Sequence, residues 1–274
     1  FHNCTGLTEI PHDLFANFTT GADLMFYNTF NGCTGLTTIP ENLFANITSG
    51  ANHMFNGTFA NSGLTAIPEN LFANITTGAN YMFQRTFYHC TGLTSLPNTL
   101  FANITNGVSG MFTGTFNGCT GLTTIPENLF ASITTGAPSM FSATFADSGL
   151  TEIPENLFAN ITTGADGMFR GTFLGCSNLT GFVPPTLFAG LIDNGSPMPE
   201  MMAQSSLLTD DSGLSIFQET SMDTQCPENY YQYITGYEDY WDDRVSCKPC
   251  PDGTVSPAGS TDVSQCDIPH DYPF

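Results

Sequence analysis

A short signature, G-L-T-x-I/L-P, places its leucine at Leu7, Leu36, Leu64, Leu93, Leu122 and Leu150, and a related copy, N-L-T-G-F-V-P, adds Leu179. The spacings are 29, 28, 29, 29, 28 and 29 residues. A longer period of 86 residues, Leu7 to Leu93 and Leu93 to Leu179, marks duplicated blocks of three repeats. This regularity constrains the fold more than any other feature. One unit of this length cannot bury its own apolar face, whereas stacked copies align their apolar residues into a continuous core.

Residues 29–57 show the unit: TFNGCTGLTTIPENLFANITSGANHMFNG. L-T-T-I-P is short, β-branched and closed by proline, which predicts a brief strand. E-N-L-F-A-N-I predicts one loose turn. In the next unit Ala79, Met82, Phe83, Thr86 and Phe87 recur at helical offsets, with Thr77 before Gly78 as a capping residue. Sister repeats close the segment with Gly32 and Gly118, as a helix C-terminus would. The predicted fold is an α/β solenoid, with one short parallel strand and one short helix per repeat. Seven strands about 4.8 Å apart would span roughly 30–35 Å.

The pattern T-F-x-G-C-x-x-L-x-x-I-P resembles the BspA-like leucine-rich repeats of microbial surface proteins, A/G-F-x-x-C-x-x-L-x-x-I, over residues 1–190. The units here, of 28–29 residues, are longer than the usual BspA-like unit. The resemblance implies a cell-surface, adhesive or structural protein without enzymatic activity.

Five cysteines, Cys4, Cys33, Cys90, Cys119 and Cys176, share one repeat position, and the two shorter repeats align Asn61 and Asp147 there. Two readings stand side by side. One is a ladder in which a small polar side chain satisfies backbone groups in the turn. The other pairs neighbours as Cys4–Cys33 and Cys90–Cys119, because stacked repeats bring Cα atoms within bridging range. Cys176 has no cysteine in the following copy.

The repeat fades after about residue 190. Residues 191–225 read as a capping or linker segment, with Leu187, Phe188, Leu191 and Ile192 covering the end of the core. Residues 226–274 read as a small disulfide-rich module holding Cys226, Cys247, Cys250 and Cys266. That density favours disulfides and an oxidising, extracellular compartment. C-K-P-C-P-D-G-T-V-S-P-A-G, from Cys247, resembles the ephrin-receptor-type cysteine-rich motif, C-x-x-C-P-x-G-T-x-S-x-x-G. The resemblance implies Cys226–Cys247 and Cys250–Cys266 bridges. A zinc site is the rival reading, although a ribbon needs two close cysteine pairs. Asp239, Asp242 and Asp243 around Trp241 offer carboxylates to calcium, or form a solvated acidic surface.

Net charge is −21, with Lys248, Arg85, Arg170 and Arg244 as the basic residues. Such a chain repels phosphate backbones and anionic membrane surfaces. Residues 191–274 carry 15 of the 25 acidic residues. No stretch approaches 18 consecutive apolar residues, so no membrane insertion is expected. Asn-x-Ser/Thr sequons at Asn3, Asn17, Asn46, Asn56, Asn74, Asn103, Asn160 and Asn178 are glycosylation candidates. No catalytic motif assembles, because the five histidines are scattered and neither a nucleophile elbow nor a phosphate loop is present. Glu41, Glu69, Glu127 and Glu155 follow the repeat proline and suit a helical start.

These features predict an extracellular structural or adhesive protein that needs no cofactor. The sequence begins in mid-repeat, Phe1 being equivalent to Phe30, so the leading coil is expected to expose strand edge and apolar core. A copy docking head to tail would build a filament or surface matrix. The alternative is a recognition module that binds a host protein or glycan through the concave strand face. The outward residues there, such as Thr37, Thr38, Ala66, Ser95 and Thr124, are small and uniform, unlike typical hot spots.

Overall fold

The structure, a computed structural model, describes residues 1–179, 184, 187–193, 230–234 and 245–250. They divide into two compact units. The first holds 1–179 and 187–193, and the second holds 184, 230–234 and 245–250.

In residues 1–179 each repeat makes one coil, and each coil bonds its neighbour through the backbone. Residues 51–62 show the pattern. The N–H groups of Met54, Asn56, Thr58, Ala60 and Ser62 donate to the carbonyl three residues back. The N–H groups of Phe55, Gly57, Phe59 and Asn61, between them, donate to Met82, Gln84, Thr86 and Tyr88 of the next coil at 2.7–2.9 Å. Turns therefore overlap every two residues, and alternate amides stitch coil to coil. Every fourth residue has left-handed φ, as at His53 (54°), Gly57 (65°) and Asn61 (54°). Alternate turns thus carry a left-handed third residue, the signature of a type II turn.

This train of turns replaces the predicted helix, and residues 1–179 contain neither helix nor strand. The reason is physical. Left-handed residues spaced by four give the turns a four-residue period, so Phe83 and Phe87 face one side much as they would on a helix. Periodicity near 3.6 cannot separate the two. Gly110, Gly114 and Gly118 could have, because they share that spacing and each would cost a helix about 1 kcal/mol. The L-T-x-I-P segments are extended. Their inter-coil bonds, such as Gly35 to Thr5 and Thr65 to Thr37, are too sparse for a ladder. Beyond the proline, Leu43, Ala45 and Ile47 close successive turns onto Pro40, Asn42 and Phe44.

The core is built of columns. Leu36, Leu64, Leu93, Leu122, Leu150 and Leu179 are all buried, with Ile39, Ile67, Leu96, Ile125 and Ile153 beside them. Three phenylalanine columns fill the rest. One runs Phe15, Phe44, Phe72, Phe101, Phe130, Phe158 and Phe188, with neighbouring centroids 5.8–6.1 Å apart. A second runs from Phe26 through Phe55, Phe83, Phe112 and Phe141 to Phe169 at 5.4–5.7 Å. The third runs from Phe1 through Phe30, Phe59, Phe87, Phe116 and Phe145 to Phe173 at 5.4–5.7 Å. Near-parallel planes at these separations are offset stacks, worth about 0.5–1.5 kcal/mol per pair beyond burial. The first two columns interlock through tilted pairs such as Phe72–Phe83 at 4.8 Å.

Leu187, Phe188 and Leu191 are buried, and Phe188 sits 4.9 Å from Phe169. The helix α1 (Ala189–Asp193) follows, and Gly190 N–H bonds Ala159 O at 2.8 Å. This helix straddles the boundary expected at residue 190. In the second unit, β1 (Tyr230–Ile234) pairs antiparallel with β2 (Val245–Pro249), placing Gln232 opposite Cys247. Most of the predicted linker and module, with Cys226, Cys266, Asp239, Trp241, Asp242 and Asp243, lies outside the described residues.

Candidate functional site

The polar residues that recur with the repeat form ladders along the stack. Thr58, Thr86, Thr115, Thr144 and Thr172 are wholly buried. Each hydroxyl donates to a phenylalanine carbonyl of the preceding coil at 2.8–3.0 Å, as Thr115 does to Phe83. The phenylalanine amide points one way along the stack and its carbonyl the other. Threonine supplies the donor that the backbone lacks there, which removes the cost of a buried unsatisfied acceptor.

The cysteine column is a second ladder. Cys33, Cys90, Cys119 and Cys176 donate to the carbonyls of Phe1, Phe59, Phe87 and Phe145 at 3.0–3.2 Å. These four and Cys4 are free thiols. The Cys4–Cys33 and Cys90–Cys119 bridges therefore do not form, because each interior thiol points at a backbone carbonyl rather than at the next sulfur. The alignment of the column also needs correction. Ser62 and Ser148, not Asn61 and Asp147, stand in it, and each contacts the thiol of the following coil, Cys90 at 3.3 Å and Cys176 at 3.2 Å. The shorter repeats omit the threonine after this position, so counting back from leucine misplaces it by one. Asn61 and Asp147 instead occupy a left-handed position, equivalent to Gly32.

Burial raises these thiols. Desolvation pushes Cys90 up to about 11 against a partial offset from its Ser62 hydrogen bond. Cys119 is raised well above the ordinary value by desolvation and then by the neighbouring Cys90. Cys33 and Cys176 are also raised, chiefly by desolvation. Protonated and buried, they are poor nucleophiles. Cys250 differs, being disulfide-bonded to a partner outside the described residues.

A third ladder uses sequon asparagines. Asn46, Asn74, Asn103 and Asn160 are exposed, and each donates its Nδ2 to an alanine carbonyl of the preceding coil at 2.5–2.7 Å. Ser132 fills the same place on Ala102. A glycan on Nδ2 would leave one N–H for this bond. Asn56 bonds Gln84 Oε1 at 2.8 Å, while Asn3, Asn17 and Asn178 lie exposed.

Glu41, Glu69, Glu127 and Glu155 are exposed beside the post-proline turns, and the side chain of Asn156 bonds that of Glu127. No helix begins there, so a helix dipole does not explain them. Thr37, Thr38, Ala66, Ser95 and Thr124 are exposed on the extended segments. Among the described residues no three His, Cys, Asp or Glu side chains gather as metal ligands would. No helix among them is long and apolar enough to cross a membrane.

One cluster went unnoticed in the sequence. Tyr81, Arg85 and His89 occupy the three left-handed positions of a single coil. Sequence carried a signal here, since residues 81–89 hold two tyrosines, an arginine and a histidine in a chain otherwise poor in basic groups.

These features define a stacked-repeat protein whose recurring polar side chains join coil to coil. No family model matches the chain, and neither does any curated protein or solved structure.

Proposed function

We propose that the chain works outside the cell as a structural or adhesive repeat protein, a solenoid of the leucine-rich class that assembles head to tail into a filament or surface matrix. The observation that carries this reading is the polarity of the ladder. Amides such as Phe55 N–H point toward the following coil, and carbonyls such as Met82 O point back. Any coil of this kind is a donor on one side and an acceptor on the other, so one stack can be continued by another of the same hand and pitch. Face-to-face pairing of like ends would oppose acceptor to acceptor. The threonine, cysteine and asparagine columns are engaged in inter-coil bonds, which suits a load-bearing stack. The disulfide at Cys250 and the sequons support an extracellular site.

Leu187, Phe188 and Leu191 already cover the last rings of the Phe158 and Phe169 columns. Docking at that end requires this segment to move. Electron microscopy and sedimentation of the native protein test the reading. Fibres that lengthen with concentration are expected, and isolated particles at every concentration would overturn it.

A further inference from the structure

We infer that the turn face of the coil containing residues 79–90 is a binding site for a glycan that carries a carboxylate. The inference is independent of assembly and concerns a different segment of the coil from the extended L-T-x-I-P residues.

Tyr81, Arg85 and His89 have φ of 55°, 52° and 55°. Non-glycine residues are disfavoured there, by roughly 1–2 kcal/mol each for residues without a short polar side chain. The next coil places Gly110, Gly114 and Gly118 at the same three positions, with φ of 61°, 61° and 72°. Backbone geometry alone would therefore select glycine in both coils, and one coil departs from that at all three places.

The departures form a group. The Tyr81 ring stacks on His53 at 5.0 Å with planes 6° apart. The Arg85 guanidinium lies 5.5 Å over Tyr88, whose ring is 4.2 Å from that of His89. Asn56 contacts His53 Nδ1 at 3.3 Å and bonds Gln84 Oε1 at 2.8 Å, so the edge is lined with amides. Arg85 and His89 are exposed.

The glycines shape what lies beside them. A Cβ on Gly110 would strike the Tyr81 ring, one on Gly118 would strike the His89 ring, and one on Gly114 would meet Arg85 Cγ at 3.4 Å. The three side chains thus lean over a glycine shelf. Beyond it Ser139, Ala143 and Asp147 hold the same positions in the following coil. The result is a trough with a backbone floor and an aromatic, cationic wall.

Its chemistry fits a sugar chain. Ring faces and edges receive the C–H face of a hexose, and the amides and Ser139 hydroxyl receive its hydroxyls. Arg85 is the sole Lys or Arg in residues 1–169, and a guanidinium recognises carboxylate in two-point fashion. Against a net charge of −21, that local attraction operates only within a Debye length of about 8–10 Å.

The test uses saturation-transfer NMR of the full chain with sialyllactose, with lactose and an oligoglutamate as comparators, beside thermal melts. Transfer to sialyllactose is expected to exceed transfer to lactose, and oligoglutamate is expected to show none. The triple variant Tyr81→Gly, Arg85→Gly, His89→Gly copies the next coil, so its melting temperature should equal or exceed that of the parent. Its sialyllactose affinity should fall at least about tenfold. Arg85→Gln should remove the preference for sialyllactose while keeping the lactose signal. No transfer to either sugar, undiminished binding by the triple variant, binding of oligoglutamate alone, or a collapse of its melting temperature would each overturn the assignment.

Discussion

At the scale of single residues, the stack depends on small donors placed where a carbonyl has no backbone partner. Cys90 lies wholly buried with its thiol on Phe59 O, and two coils of the same stack use serine at this position. Cys90→Ser should therefore change stability by less than about 1 kcal/mol, whereas Cys90→Ala, which orphans the carbonyl, should cost about 1–3 kcal/mol. Urea denaturation distinguishes the two. The same thiols make the fold sensitive to alkali. Each interior thiol is raised above its ordinary value of 9.0, Cys90 to about 11, so the folded state holds protons that the unfolded chain releases. That stability is fully present below the unfolded value and is lost as pH climbs toward the folded one. For Cys90 alone the loss is on the order of 2–3 kcal/mol. Urea midpoints near pH 8 and about pH 10.5 should differ accordingly, and replacing Cys90 by serine should shrink that difference.

At the scale of the coil, the phenylalanine columns dominate. Phe112 is buried between Phe83 and Phe141 and tilts against Phe101 and Phe130. Phe112→Ala should cost about 3–5 kcal/mol, because its neighbours on both sides are held in ladders and cannot close the gap. Phe1, with 55% exposure and a single stacking partner, should tolerate alanine with well under half that loss. Thermal melts of the two variants check the contrast. Its cause is position within the column, since the residue type is the same.

For the molecule as a whole, charge opposes association. Each copy carries −21, so stacks meeting end to end repel over a distance set by ionic strength. Assembly is expected to strengthen when salt rises from about 0.01 M to 0.15 M, as the screening length shrinks from roughly 30 Å to 8 Å. Light scattering across that range measures it, and weakening with salt would contradict hydrogen-bonded docking between like-charged copies. Stability should also be graded along the stack. Neighbour contacts supply the binding energy between coils, so amides of central coils, such as Phe83 N–H, should exchange more slowly than those of the leading coil, such as Phe26 N–H, in hydrogen-exchange measurements.

The sequence by itself determined what recurs and what is apolar. Spacing alone marks Leu36, Leu64 and their equivalents as one set, and Phe44, Phe55 and Phe59 as others, because burial favours the same residue type in every copy. It also presented a ladder as one of two readings for the cysteine position. It could not choose between helix and linked turns for residues such as 79–90, since both repeat at close to four residues. Tertiary structure decided that. The bonds that hold the turns run from Phe83 to Met111 and from Phe87 to Thr115, about one repeat away in sequence, and no local propensity encodes them. The same long-range register placed Ser62 rather than Asn61 in the thiol column, and brought Tyr81, Arg85 and His89 over three glycines of another coil.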